Sequence, residues 1–344
     1  MSLKAADEPG TDSSMSDAAR PRAFSASELV QCDACSRTNP PTRASCLYCG
    51  AALEVTELNA FSPEPVPETG SSSAVSFHVV ALDARQFELA LVDQLAEMLN
   101  IKPVELRALL AHPTGAPLLA VKSGTQAQVA AQKLSERGMR TQVISDEQLW
   151  PERSPVAIST LEILEDALAG KVGRSNQIVS ALWDEITLIV SGRLYFETRE
   201  IVQKRRRAKQ VIDEREMLTD EAVLDIYTRG DEHGWRIHAS NFDFSCLGES
   251  KKLTTFENLL SLTSLLRAHA SAALFDDWYV RLRSALNDVW PRDSSASVKE
   301  RRRTAFGDFD SSVTSIDNQI QFTRYSRLLR YLHASQAEDH AAQK

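Results

Sequence analysis

Hydrophobic positions along the chain fall into blocks of different period, separated by polar or Pro/Gly/Ser-rich stretches. Residues 1–27 show no periodicity and are rich in Ser, Asp, Ala and Pro, which predicts a disordered tail. Residues 28–54 carry four of the cysteines. Residues 55–75 include Pro63, Pro65 and Pro67 followed by Gly70-Ser71-Ser72-Ser73, a flexible linker by composition. From 76 to 149 the pattern becomes regular. Phe77–Leu82, Pro117–Val121 and Arg140–Ile144 read as strands. Phe87, Leu89, Leu91, Leu95 and Leu99 suit one helix, and Pro103 opens a second at its first turn. Thr125 is the expected cap of a third, from Gln126 to Arg137, with Gly138 as its stop. The predicted order is β-α-α-β-α-β.

A larger α+β block occupies 155–291. Ile158–Leu168 reads as helix, Ile186–Val190 as strand, and Ser191-Gly192-Arg193 as a turn. Val223–Tyr227 and Trp235–Ala239 flank Gly230–Gly234, the pattern of a hairpin. Two helical stripes follow, Phe256–Leu266 and Trp278–Trp290. Residues 292–344 read as a polar tail with an amphipathic helix near 320–332, carrying Phe322, Tyr325, Leu328, Leu329 and Leu332. The expected fold class is therefore α+β and multi-domain: a small N-terminal cysteine-bearing module, a small β-α-α-β-α-β domain, and a larger α+β domain in which a hairpin region precedes helices.

Composition bounds the chemistry. A 43% hydrophobic share across 344 residues is enough for real cores. The formal net charge of −8 disfavours a surface that binds nucleic acid everywhere, while leaving room for a local basic patch. No secretory h-region, membrane-length apolar run or prenylation box stands in the sequence, so the expected compartment is the cytoplasm. In that reducing setting, Cys32-x-x-Cys35 and Cys46-x-x-Cys49 read as ligands for one structural Zn2+. Each Cys-x-x-Cys turn presents two sulfurs on one side, and two such knuckles complete a tetrahedron with no position left for water. A tetrahedral sulfur cage also suits iron.

Other constellations are less specific. Lys204–Lys209 and Arg301–Arg303 are basic runs that suit phosphate contacts, or else a solvated face balanced by Glu197, Glu200, Asp213 and Glu214. Asp225, Glu249 and Lys251 have the residue types of a metal-dependent nuclease, although Glu249 and Lys251 fall in a loop. His233 and His238 flank the hairpin loop, and Cys246 reads as a small buried hydrophobe. Nucleotide-binding and hydrolase signatures are missing from the sequence: it has no Walker loop, Gly-x-Gly-x-x-Gly or Gly-x-Ser-x-Gly.

Two stretches resemble known families. Cys32, Cys35, Asn39, Cys46 and Cys49 fall on the spacing of the Ran-binding-protein type zinc finger, with Val30 where that family has tryptophan. A bacterial zinc ribbon describes residues 30–54 equally well. The finger resemblance implies binding of single-stranded RNA, of ubiquitin or of a protein partner. Tyr48, Arg37 and Arg43 are the residues available for nucleic acid. Leu99–Glu105, Leu110–Pro113 and Ala130–Gly138 resemble the C-terminal domain of the bacterial ribosomal stalk protein. That resemblance implies the fold of residues 76–149. It does not extend to recruitment of a translation factor, since Glu88, Asp93 and Glu97 stand where basic residues would be needed. The C-terminal domain is assigned to no family. The expected function is that of a zinc-binding, non-enzymatic adaptor or regulatory protein with a protein partner. The alternative partner is nucleic acid, held by the finger and the run at 204–209. Oligomeric state is not legible.

Overall fold

The computed structural model describes residues 24–56, 58–61, 76–82, 87–150, 152–173, 175, 177–206, 209–231, 233–304 and 307–342, with the side chains of 202–213, 298–311 and 338–342 outside that description. The predicted tail lies outside the described residues up to residue 23, and the linker over 62–75 lies outside them altogether. Both helices and sheets are present, in two units, Met1–Asn59 and Ala60–Lys344.

The first unit pairs two short strands, β1 (Val30–Gln31) and β2 (Thr38–Asn39), antiparallel with Val30 opposite Asn39. Its apolar interior is small: Cys32, Cys46 and Leu53 are buried, with Cys35 and Ala51 against them.

The second unit begins with β3 (Phe77–Ala81), α1 (Leu89–Leu99), α2 (Pro103–Leu110), β4 (Ala116–Val121), α3 (Gly124–Glu136), β5 (Thr141–Ser145) and the single turn α4 (Asp146–Leu149). The strands form a sheet of order β4-β3-β5, antiparallel throughout. Pro103 opens α2, where its missing N–H costs nothing. Ser123, not Thr125, caps α3, its hydroxyl accepting from the Gln126 N–H.

The rest of the chain builds a nine-stranded sheet from β6 (Val156–Ile163), β7 (Ala167–Val172), β8 (Ile178–Leu182), β9 (Ile186–Arg206), β10 (Lys209–Thr228), β11 (Trp235–His238), β12 (Leu274–Asp276), β13 (Asp293–Thr304) and β14 (Gly307–Asp317). The helices α5 (Thr255–His269), α6 (Tyr279–Val289) and α7 (Gln319–Ala342) complete it. Strand order is β13-β14-β9-β10-β11-β6-β7-β8, with β12 beside the inner end of β9.

Three readings of the sequence change here. Ile158–Leu168 is not helical: it spans β6 and the start of β7, and a register shift between Ile158 and Thr160 breaks the alternation. Ser191-Gly192-Arg193 is no turn but the middle of β9. Gly192 is required by packing, because a Cβ there would lie 2.2 Å from the Phe322 ring. Most of the polar segment after Arg292 is a strand pair, β13 with β14.

Strand alternation divides the apolar residues of the large sheet between two cores. Leu188, Val190, Leu194, Val223 and Tyr227 face a core that also holds Val79, Leu95, Leu106 and Ile144, together with Tyr279 and Trp290 and with Phe322, Tyr325 and Leu332 of α7. Ile189, Leu224, Ile226 and Ile237 face the other, under Leu259, Leu262 and Leu266 of α5. Residues 77–149 and the chain from 156 onward thus share one interior. Buried polar bonds cross the same boundary. The Trp290 indole N–H donates to His78 Nδ1 at 3.0 Å, and His78 Nε2 lies 2.9 Å from Asp146. His112 Nε2 lies 2.9 Å from Asp276, whose other oxygen accepts from the Tyr325 hydroxyl at 2.6 Å.

Candidate metal centre

Both cysteine pairs sit on turns of the same construction. In the first, the Cys32 N–H bonds the Arg37 carbonyl at 2.9 Å and the Ser36 N–H bonds the Cys32 carbonyl at 2.7 Å. In the second, the Cys46 N–H bonds the Ala51 carbonyl at 2.8 Å and the Gly50 N–H bonds the Cys46 carbonyl at 3.0 Å. Each turn needs a residue of positive φ just after its second cysteine. Gly50 supplies it at 73° and Ser36 at 57°.

The turns bring the four sulfurs within 4.8 Å of one another. Cys32 and Cys49 are 3.6 Å apart, Cys35 and Cys46 3.5 Å. A disulfide would need about 2.05 Å. A tetrahedral cage with metal–sulfur bonds of about 2.3 Å has sulfur–sulfur edges of about 3.8 Å, close to what is seen. Asn39 is fully buried and joins the two turns. Its amide donates to the Arg37 carbonyl at 3.0 Å and to the Cys46 sulfur at 3.5 Å, and its oxygen accepts from the Leu47 N–H at 2.8 Å.

The electrostatics fit a cation. Burial pushes the Cys46 thiol up, but the N–H groups of Tyr48 and Cys49 and the Asn39 amide outweigh it and hold the thiol at about 6. For Cys35 the Arg37 backbone N–H pulls down, while desolvation and the three neighbouring thiols push it up to about 12. Sulfurs this close resist losing their protons together, and a divalent cation among them removes that resistance. Cys32 and Cys46 are buried and Cys49 is exposed, so a metal would reach the set from the Cys49 side.

Next to the cage, Leu47 and Tyr48 lie 54% and 56% exposed. The Arg37 guanidinium sits 4.6 Å from the Tyr48 ring centroid, over one of its faces.

The other candidates are placed differently. Asp225 is fully buried, and both its oxygens are taken by Arg236 at 2.7 Å. Glu249 and Lys251 are exposed, with Lys251 3.7 Å from Asp243. The nuclease-like set is not gathered around a point. Among the described residues, the four cysteines are the group of three or more metal-capable side chains that lie close enough to share an ion. His233 stands beside Asp231, and His238 Nδ1 is 3.1 Å from Glu221, so each has its own carboxylate. Cys246 is half-buried, and desolvation raises its thiol above the ordinary value. Asp225 and Arg236 are direct cross-strand partners, so counting outward from the hairpin loop already sets them opposite each other. His78 and His112 carry no such signal, because apart from the Thr114 N–H that donates to His112 Nδ1 at 3.3 Å their partners lie 68 to 213 residues away. Compared with protein-family models, curated proteins and solved structures, the chain matches none. No helix among the described residues is long and apolar enough to cross a membrane.

Proposed function

We propose that the chain is a zinc-loaded, non-enzymatic adaptor, in which residues 28–54 form a ribbon of the Ran-binding-protein or bacterial type that engages a protein partner. The closed set of four sulfurs carries this reading: with Cys32, Cys35, Cys46 and Cys49 on one ion, no coordination position remains for a substrate or a reactive water. The metal's work is then to hold a module whose own apolar interior is too small to fold alone. Zinc is favoured over iron because it brings no redox chemistry to a purely structural cage.

The exposed Leu47 and Tyr48 beside the cage supply the contact. A protein partner suits them better than a base would. Arg37 already covers one face of Tyr48, and Val30 offers no stacking surface where the finger family carries tryptophan.

The test is a pull-down from host lysate with the zinc-loaded full chain, against Leu47→Ser/Tyr48→Ala, each with and without nuclease. Expected is a discrete set of proteins that survives nuclease and is lost with the double variant. Material that disappears on nuclease treatment, or that the double variant retains, overturns the reading.

A further inference from the structure

A cavity of about 190 Å3 lies inside the larger unit, between the β4-β3-β5 sheet and the end of α6. Most of its wall is apolar. Leu99 and Ile101 at the α1–α2 junction, Leu118 and Val121 of β4, and Val289 of α6 line it, and all five are buried. At one place the wall turns polar: His78, Trp290 and Arg324 border the same space.

Hydrogen bonds decide what each of these groups can still offer. The Trp290 indole N–H donates to His78 Nδ1 at 3.0 Å, so the proton of a neutral His78 sits on Nε2, 2.9 Å from Asp146. Burial holds His78 below its ordinary value of 6.5, against the pull of Asp146, which keeps the ring neutral at about pH 7. Both ring nitrogens are thus occupied. Asp146 is occupied too. Its oxygens accept from His78, from the Ser76 N–H at 3.3 Å, and from Arg324 Nε at 3.0 Å and Nη2 at 3.4 Å.

Arg324 is different. A guanidinium carries five N–H groups in one rigid plane. Asp146 takes the Nε edge of that plane with two bonds, which leaves three N–H groups on Nη1 and Nη2. Among the described residues Nη1 has no hydrogen-bond partner. The side chain is only 17% exposed, and the guanidinium lies 5.6 Å from the Trp290 ring centroid. The plane is therefore held by Asp146 and Trp290 before any ligand arrives, and a fork already in place loses little freedom on binding. Two other charged residues line the cavity, the half-buried Lys122 and the exposed Asp288. They are of opposite sign, so Arg324 sets the charge of a ligand.

We infer that this cavity binds a small carboxylic acid as its anion, with the carboxylate on the outer fork of Arg324 and a compact apolar body against Leu118, Val121 and Val289. The fork matches the spacing of two carboxylate oxygens. Size limits the body. An apolar cavity of about 150 Å3 takes up benzene, whereas drug-sized ligands need about 300 Å3 or more. A volume of about 190 Å3 suits one ring or one short branched chain with its carboxylate. Inorganic phosphate could meet the fork but would leave the apolar wall uncovered. The site lies wholly within the larger unit and is independent of the ribbon and its metal.

The experiment is isothermal titration of the zinc-loaded full chain with cyclohexanecarboxylate, beside cyclohexanecarboxamide and inorganic phosphate. Expected is one equivalent of the carboxylate, bound with a Kd of about 1 mM or tighter and at least about tenfold more tightly than either control. Arg324→Lys keeps the charge and loses the fork, and Arg324→Gln loses both. Each is expected to weaken the carboxylate more than about tenfold, the usual effect of losing charge-assisted hydrogen bonds. Ala120→Leu adds bulk to the cavity wall at the strand partner of His78 and removes no polar contact. It is expected to weaken binding as much, which keeps the test sound should loss of Arg324 loosen the fold around Asp146. Arg137→Gln, exposed and outside the cavity wall, and Cys46→Ser are expected to bind like the parent. No binding by the parent, equal binding of the carboxamide or of phosphate, or full affinity in any of the three cavity variants would each overturn the inference.

Discussion

Asp225 and Arg236 form a buried ion pair inside the larger unit, and breaking it tests whether Asp225 is structural. The carboxylate is fully buried and the guanidinium side chain 2% exposed. Two N–H groups of Arg236 reach the two oxygens at 2.7 Å. A third bond runs to the Thr323 hydroxyl at 3.1 Å, and the guanidinium lies 4.9 Å from the Phe322 ring centroid. Asp225→Asn leaves this cation sealed in the core with a neutral partner. Removing one member of a buried pair costs about 3–5 kcal/mol, most of it the desolvation of the charge left behind. With a urea dependence of about 3 kcal/mol per M, the midpoint falls by about 1 M or more. Replacing both members, as Asp225→Leu/Arg236→Met, removes the stranded charge, and stability is expected to return to within about 1 kcal/mol of the parent. Urea unfolding followed by tryptophan fluorescence reads all three proteins, since Trp235 and Trp290 are both buried. Two results refute the reasoning. One is an Asp225→Asn midpoint close to the parent's. The other is a magnesium-dependent stabilisation of the parent that Asp225→Asn abolishes, which would make Asp225 a metal ligand.

Three further outcomes are expected. Cys46→Ser is expected to purify without the metal, and chelating the parent is expected to expose the amides of 30–54 to full hydrogen exchange; metal analysis showing one equivalent retained in the variant refutes the four-sulfur set. Gly192→Ala places a Cβ 2.2 to 2.8 Å from three atoms of the Phe322 ring, so a loss of about 1–3 kcal/mol is expected in thermal melts, with Gly192→Ala/Phe322→Leu less destabilised than the sum of its singles. Burial raises Asp146, but His78 and Arg324 outweigh it and hold the carboxyl at about 2, below its ordinary 3.8. Its contribution is therefore complete above about pH 4 and is lost as pH falls towards about 2. Desolvation holds buried His78 below its ordinary value of 6.5, so its contribution is present above that pH and also declines on acidification. Denaturation midpoints are expected to be flat above about pH 7 and to fall below it, and Arg324→Gln is expected to shrink the lowest part of the fall; an unchanged acid limb in the variant refutes the assignment.

What the sequence made legible was whatever is encoded locally. The cysteine turns are spacings of three residues, and the metal set follows from them directly. The helices of 77–149 follow a period of 3.6, its strands β3 and β4 are short apolar runs buried at consecutive positions, and these elements form close to where those patterns mark them. The failures have physical causes in the fold. At Ile158 the bulge opposite β7 shifts the buried positions from i+2 to i+3, so that Ile158 and Leu161 imitate the face of a helix. Gly192 reads as a turn because glycine usually supplies freedom of φ, whereas here it supplies room for a ring 130 residues away. β13 and β14 escape hydrophobic reading because Asp, Ser, Lys and Arg compose most of both strands and leave no apolar alternation to find.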